Sequence, residues 1–347
     1  MRMLILHVTN GDHAAAGLAR SGLHGDVLSW RDIVHDGPVP SDSDRAAFHL
    51  ARAQFLLARG WVASVTDVVV DFESRDARLD GTTAADEVVL WFEPDLYDQV
   101  QLAQVLSALG TRPIEDRPHV SIAPADCYLG PMQPEKFRPL FDARRSVGEA
   151  EFALGIAAWR AFTASTPDAL HGIAARLDSE VGARTYDADD AVRLPHLAAA
   201  LRRQLQEYPD REHGLSRSER QLCEALAPGE VVLSKLFQAA HQASESWNWL
   251  GDQSFAWYVQ RLSECAEPLV THANGTRVLA PARDARGFWE RTVVLTAFGH
   301  DVVRARADCI ERNGIDRWIG GVHLTTADHW RWDDRVHRAV YVGTGRT

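Results

Sequence analysis

Leu4-Ile5-Leu6-His7-Val8-Thr9-Asn10-Gly11-Asp12 is the stretch on which the fold turns. Residues 4–8 are a short apolar run, read as a buried strand, and Thr9-Asn10-Gly11-Asp12 turns the chain out of it. The small, Ala-rich residues 14–21 suit a helix ending at Gly22, and residues 26–30 read as a second strand. Pro38 and Pro40 then break the chain. Residues 41–44 offer N-caps for a helix over 45–59. Residues 65–72 fit strand or helix, and their β-branched content tilts the reading to strand. Residues 87–92 are a clearer strand. A helix follows over 96–109 with Leu96, Val100, Ala103 and Leu106 at helical spacing, and then a candidate strand over 119–123. Strands separated by helices imply a mostly parallel sheet covered on both faces.

Beyond Cys127 the pattern turns helical. Helices are expected over 134–141, 149–162, 168–177 and 194–208, the last with Leu197, Leu201 and Leu205 on one stripe. The final third opens with Ser216-Arg217-Ser218-Glu219, which has capping-box spacing, and a helix to Leu226. Helices over 233–244 and 252–265 follow. Residues 268–271 and 276–279, joined around Asn274-Gly275, read as a hairpin. Three helices and a hairpin make a winged-helix-like shape. A helix over 293–306 and strands over 318–324 and 329–333 complete the chain. The expected organisation is an α/β unit (1–125), a helical connecting segment (126–213) and a winged-helix-like α+β unit (214–347).

The 347 residues suffice for two domains, and 46% hydrophobic with 24% charged content is ordinary for a globular chain. No window nears the ~18 apolar residues of a membrane span. The first residues lack a signal-peptide pattern, so the expected location is the cytoplasm. Cys127, Cys223, Cys265 and Cys309 form no CxxC pair, which leaves zinc and disulfide frameworks without support and inert thiols as the expectation. The net charge of −11 is uneven: residues 1–210 hold 20 Lys+Arg against 31 Asp+Glu, and the rest hold 17 of each. Nucleic-acid binding needs clustered cations, so an acidic N-terminal unit argues against it.

In open parallel sheets, ligands sit beyond the carboxyl ends of strands. Three candidate strands end in polar clusters: Asn10-Gly11-Asp12-His13, then Arg31-Asp32 with His35-Asp36 beyond, and Glu93-Pro94-Asp95 with Tyr97, Asp98 and Gln99 opening the next helix. If the strands are neighbours, Asp12, Asp32, Glu93 and Asp95 converge. Crowded carboxylates raise one another's pKa or hold a hard cation such as Mg²⁺. Asp12, Asp32 and Glu93 are the candidate catalytic residues. Asn10, Gly11, Trp30, Arg31, Asp95, Asp98 and Gln99 are candidates for ligand binding, with Trp30-Arg31 able to stack on or clamp a substrate. The competing reading is plain: acids before a helix are ordinary caps, Gly11 simply turns the chain, and Trp30 is a buried ring beside an Arg–Asp pair. No dedicated metal-ligand set is assigned. The histidines show no ligand spacing, His7 reads as a hydrogen-bonded core residue, and a metal at His323, His329 and Asp333 is disfavoured. Walker, GxGxxG, HExxH and GxSxG patterns are absent.

The runs 7–12, 27–32, 37–40 and 91–99 resemble those of a bacterial family, the domain of unknown function numbered 1835. Residues 214–222, 251–255 and 317–324 are similar to its companion domain, numbered 3658. Pro94 stands where that family's pattern has histidine. The resemblance implies the two-part architecture and no particular reaction.

Three functions remain. The first is binding of a phosphorylated or nucleotide-like small molecule, or metal-assisted catalysis on one, at the N-terminal strand ends. The second is a ligand-sensing regulator whose winged-helix-like unit binds DNA. The presumed reading helix, 252–262, counts against it, since Arg261 is its only base. The third is a protein-interaction module presenting Trp247, Trp249 and Trp257.

Overall fold

The computed structural model describes residues 3–41, 44–182, 194–281 and 286–343. The chain opens with β1 (Ile5–Asn10), α1 (Asp12–Arg20), β2 (Asp26–Trp30), α2 (Arg45–Ala58), α3 (Val65–Asp80), β3 (Glu87–Trp91), α4 (Leu96–Gly110) and β4 (His119–Ile122). Then come α5 (Phe137–Asp142), β5 (Arg145–Ser146), α6 (Glu149–Phe162), α7 (Asp168–Gly182) and α8 (Leu197–Leu205). The final third holds α9 (Arg217–Leu226), β6 (Val231–Val232), α10 (Leu233–Phe237), α11 (Asp252–Glu264), β7 (Val270–His272), α12 (Arg286–Trp289) and β8 (Thr292–Leu295). It ends in α13 (Ala297–Val303), α14 (Cys309–Asn313) and the strands β9 (Asp316–Ile319), β10 (Val322–Thr325), β11 (Asp328–Asp333) and β12 (Arg338–Gly343).

The first sheet runs β2-β1-β3-β4-β5, parallel except for β5. The alternation of β1 and β3 explains its two covered faces. Ile5, Val89 and Trp91 pack with Ala14, Leu18 and Phe137 of α1 and α5. Leu6, Val8, Val88 and Leu90 join the core that holds Val100, Ala103 and Leu106 of α4. His7 sits among them as a satisfied core histidine. It accepts from Trp91 Nε1 at 3.1 Å, and its Nε2 lies 3.1 Å from the His24 carbonyl. Helix α4 packs on α6 and α8 as well as on the sheet. Gly155 permits the α6 contact, since a Cβ there would lie 2.5 Å from Leu106 Cβ. The same apolar core continues through α9 and α11 to Trp332.

The C-terminal third holds a three-stranded antiparallel sheet, β6-β8-β7, and the hairpins β9–β10 and β11–β12. The capping box forms: Ser216 Oγ accepts from Glu219 N, and Glu219 accepts from Ser216 N. No helix among the described residues is long and apolar enough to cross a membrane. Burial raises the pKa of all four free thiols.

Several local expectations are corrected. Residues 65–72 begin helix α3, because Ser64 caps it and the β-branched side chains are carried by tertiary packing. The turn at Asn274-Gly275 exists, but 276–279 does not return as a strand. Val278 N and Ala280 N instead bond Ser263 and Gln260 of α11. The partner of β7 is β8, inside the segment expected to be helical, and only Ala297–Val303 of that segment is helix. Of the caps expected before α2, Asp44 serves, accepting from Ala47 N at 2.7 Å; residues 42 and 43 lie outside the described residues.

Candidate functional site

Because β1 lies between β2 and β3, the three polar strand ends share one rim; Asn10 pairs with Trp30, and Thr9 with Trp91. The strand order reverses between β1 and β3, which is where open α/β sheets leave a crevice. Gly11, at φ +40°, turns the chain there, with open space where a Cβ would point and no side chain capping α1.

Side-chain chemistry then divides the rim. Asp95 caps α4, its carboxylate accepting from Asp98 N at 2.9 Å. Asp98, fully buried, accepts from the Asn10 side-chain amide and, at 2.6 Å, from Glu93 N. Glu93 accepts from Leu129 N at 2.7 Å, while Gln99 Nε2 donates to the Glu93 carbonyl at 2.7 Å and holds the loop. Oxygens of Glu93, Asp95 and Asp98 all lie within 4.8 Å of one another, the one such set of three metal-capable groups among the described residues. Burial and mutual repulsion push Asp95 up to about 7 and Asp98 well above the usual range. Burial also raises Glu93, against its backbone hydrogen bonds. An all-oxygen donor set suits Mg²⁺ or Ca²⁺ and not zinc. Without a cation, burial and crowding favour the protonated forms of these carboxyls.

The trio is exceptional within this chain. Among the described residues, every other buried carboxylate except Asp86 faces an arginine or histidine: Asp32, Asp36, Asp76, Glu87, Glu151, Glu207, Asp210, Glu219 and Asp333. Asp86 instead accepts from Leu4 N and Thr83. No such cationic partner is found for Glu93, Asp95 or Asp98 among the described residues.

A cavity of about 220 Å³ opens against Asp95, walled by Arg202, Arg203, Arg217, Trp247 and Trp249 from distant segments. Arg203 is saturated by Glu245, Glu207 and Ser218. At the mouth, Arg217 is one-third exposed, bonded to Gln206 and paired with Glu245, and the half-exposed Arg202 is paired with Asp178.

Other predicted site residues are drawn away. Asp12 pairs with Arg31 at 2.8 Å on the surface, and Arg31 also bonds Asp71. Asp32 does not join the carboxylates. It is sealed in a bidentate pair with Arg52, both side chains fully buried, and Arg52 further donates to the carbonyls of Asp36 and Ile33. Trp30 is buried, its indole donating to Gln104 at 2.9 Å, and the guanidinium stacked on it at 4.0 Å belongs to Arg75, not Arg31. The wager on four converging acids therefore holds for Glu93 and Asp95, joined by Asp98 and Asn10, and fails for Asp12 and Asp32. Gln101, which donates to the carbonyls of Trp30 and Asp32, was not foreseen, nor were Arg52 and the arginine wall. For Arg52 the one signal was a lone arginine on the apolar stripe of α2. For the wall there was none.

In the tail, His323 stacks on Trp318 and bonds Asp316, whereas His329 lies 3.1 Å from the Thr325 carbonyl and accepts from Arg331. Trp249 is buried against His35 and Trp257 is covered by Arg59, so neither forms an open contact surface. Compared with known proteins, the chain matches no family model and no curated protein.

Proposed function

We infer that this protein binds a small phosphorylated or nucleotide-like molecule at the β1/β3 crevice. Glu93, Asp95 and Asp98 hold the divalent cation that accompanies the ligand or, without one, act as its acid and base. The observation that carries this is the unmatched carboxylate trio: burying three acids without a cation costs stability, and a chain that pairs nearly every other buried acid tolerates that cost where a ligand relieves it. Asp95 is the member that reaches the cavity, so a cation held there would meet an anionic ligand directly. A bound cation would supply charge neutralisation; Asn10 orients the Asp98 carboxylate, and Gln99 holds the loop that carries Glu93 through its backbone carbonyl. At about 220 Å³ the cavity suits a compact ligand or the polar head of a larger one. The resemblance to the domains numbered 1835 and 3658 is carried with this proposal, since Asn10, Glu93, Asp95, Asp98 and Gln99 all lie in its quoted motifs.

The test is calorimetric and thermal titration of the full chain with Mg²⁺, Mn²⁺ and Ca²⁺, alone and with sugar phosphates or nucleotides. A ligand at 100 times its Kd stabilises by about 2.7 kcal/mol, which a melting curve reads easily. Asp95→Asn and Glu93→Gln should abolish the shift. No response to any ion or phosphorylated compound ends the proposal.

We read 216–295 as winged-helix-like and used for packing. Its α11 buries Phe255, Tyr258, Val259 and Leu262, and Arg261 is held by Glu219, leaving little to meet phosphate.

A further inference from the structure

The geometry points to a second binding site, for an uncharged heteroaromatic molecule of nucleobase or nucleoside type, in a cavity of about 230 Å³ between α2, α3, α4 and α6. It is separate from the carboxylate crevice. Asp95 and Ser107 stand twelve residues apart on α4, roughly 18 Å at 1.5 Å per residue.

The floor is a polar assembly laid on Trp30. Arg75 stacks on the indole and binds Asp76 at 2.8 Å, and Asp76 lies 2.9 Å from His49 Nε2. Burial opposes ionisation of Asp76, but the bonds from His49 and Arg75 outweigh it and keep its carboxyl below the usual range. An ionised Asp76 accepts, so it takes His49 Nε2 and leaves Nδ1 as the polar ring atom facing elsewhere. That nitrogen is buried and has no hydrogen-bond partner among the described residues. His49 lines the cavity and is 1% exposed. Leaving a buried polar nitrogen unpaired costs stability.

The walls decide the class of occupant. Half-buried Phe48 and Trp159, edge to face at 6.3 Å, present aromatic surface, while Ser107 and Thr111 of α4 place hydroxyls along the side. Flat apolar walls over a polar floor fit a ring with hydrogen-bonding edges, and a hydrocarbon would leave those groups unpaired. Charge excludes the phosphorylated form. Arg45 is paired with Asp80 and Arg75 with Asp76, so the four ionic groups lining the cavity balance. A polar atom on the ring edge then pairs with His49 Nδ1.

The experiment is isothermal titration of the full-length protein with adenosine, guanosine, cytidine and uridine, and with a short single-stranded oligonucleotide. At least one nucleoside should bind with a Kd below about 1 mM, and His49→Gln should weaken it by about tenfold. Trp159→Leu and Ser107→Ala, which leave the His49–Asp76 pair in place, should weaken it too should His49→Gln fail to fold. Glu93→Gln should leave nucleoside affinity unchanged, which separates this site from the carboxylate crevice. The proposal is overturned by the absence of binding for all four nucleosides, by binding of the oligonucleotide alone, or by binding that survives the cavity substitutions and is lost in Glu93→Gln.

Discussion

The side-chain amide of Asn10, last residue of β1, donates to the carboxylate of Asp98 in the first turn of α4, 88 positions along the chain. Through that bond the end of one central strand fixes the acid that the neighbouring strand end crowds. The carboxylate trio is thereby rigid before any ligand arrives, and rigidity is what makes its pKa displacement persist.

A pH dependence follows from that displacement. The folded chain keeps protons on Asp95 and Asp98 that the unfolded chain releases above pH ~4. The stability they contribute is full below that value and is lost as pH rises through the folded pKa, which for Asp95 is about 7. Asp95→Asn should therefore raise the metal-free melting temperature at pH 8 by on the order of 3 °C or more, and the gain should shrink toward pH 4. Melting curves from pH 4 to 8.5 check this; a gain independent of pH contradicts it.

His35 acts with the opposite sign. It is wholly buried between Tyr97 and Trp249, both ring nitrogens lack partners, and burial lowers its pKa to about 4. The unfolded chain takes up a proton near pH 6.5 that the folded chain refuses, so stability falls between about 6.5 and 4. His35→Phe should lessen that acid loss, with its advantage over the natural chain growing as pH drops from 7 to 4.5 in urea titrations.

Arg52 and Asp32 form a pair with no solvent exposure. Removing one partner, as in Arg52→Ala, strands a buried charge and should cost about 3–5 kcal/mol in chemical denaturation. The double change Arg52→Met with Asp32→Leu should recover part of that loss, because both charges leave together. Equal instability of the single and double variants would contradict it.

The α4–α6 contact rests on a missing side chain. Gly155→Ala places a Cβ 2.5 Å from Leu106 Cβ, a clash that only a shift of the helices relieves. The expected cost is about 1–3 kcal/mol. A Leu106→Gly background, which removes the opposing Cβ, should take away much of the penalty of the second change, which a double-mutant cycle measures.

Most of the first sheet was legible in the chain. Alternating apolar residues on both sides of 4–8 and 87–92 can be buried only inside a covered parallel sheet, and the three polar strand ends then fall on one rim. Capping signals at Asp95, Ser216 and Asp44 also read correctly, since a cap acts within four residues of itself. Residues 65–72 misled because β propensity is a matter of packing surface more than backbone preference, whereas 293–295, read into a helix over 293–306, form the strand that their β-branched residues favour.

Which acid meets which base was decided only in three dimensions. Asp32 and Glu93 look alike in sequence, each one or two residues past a strand. The first is neutralised by an arginine 20 positions on, and the second is left with two other acids and a cavity wall drawn from residues 94–249. Strand periodicity is a local property of a few residues. Charge pairing depends on distances that only the packed helices set, and there the tertiary structure chose the site.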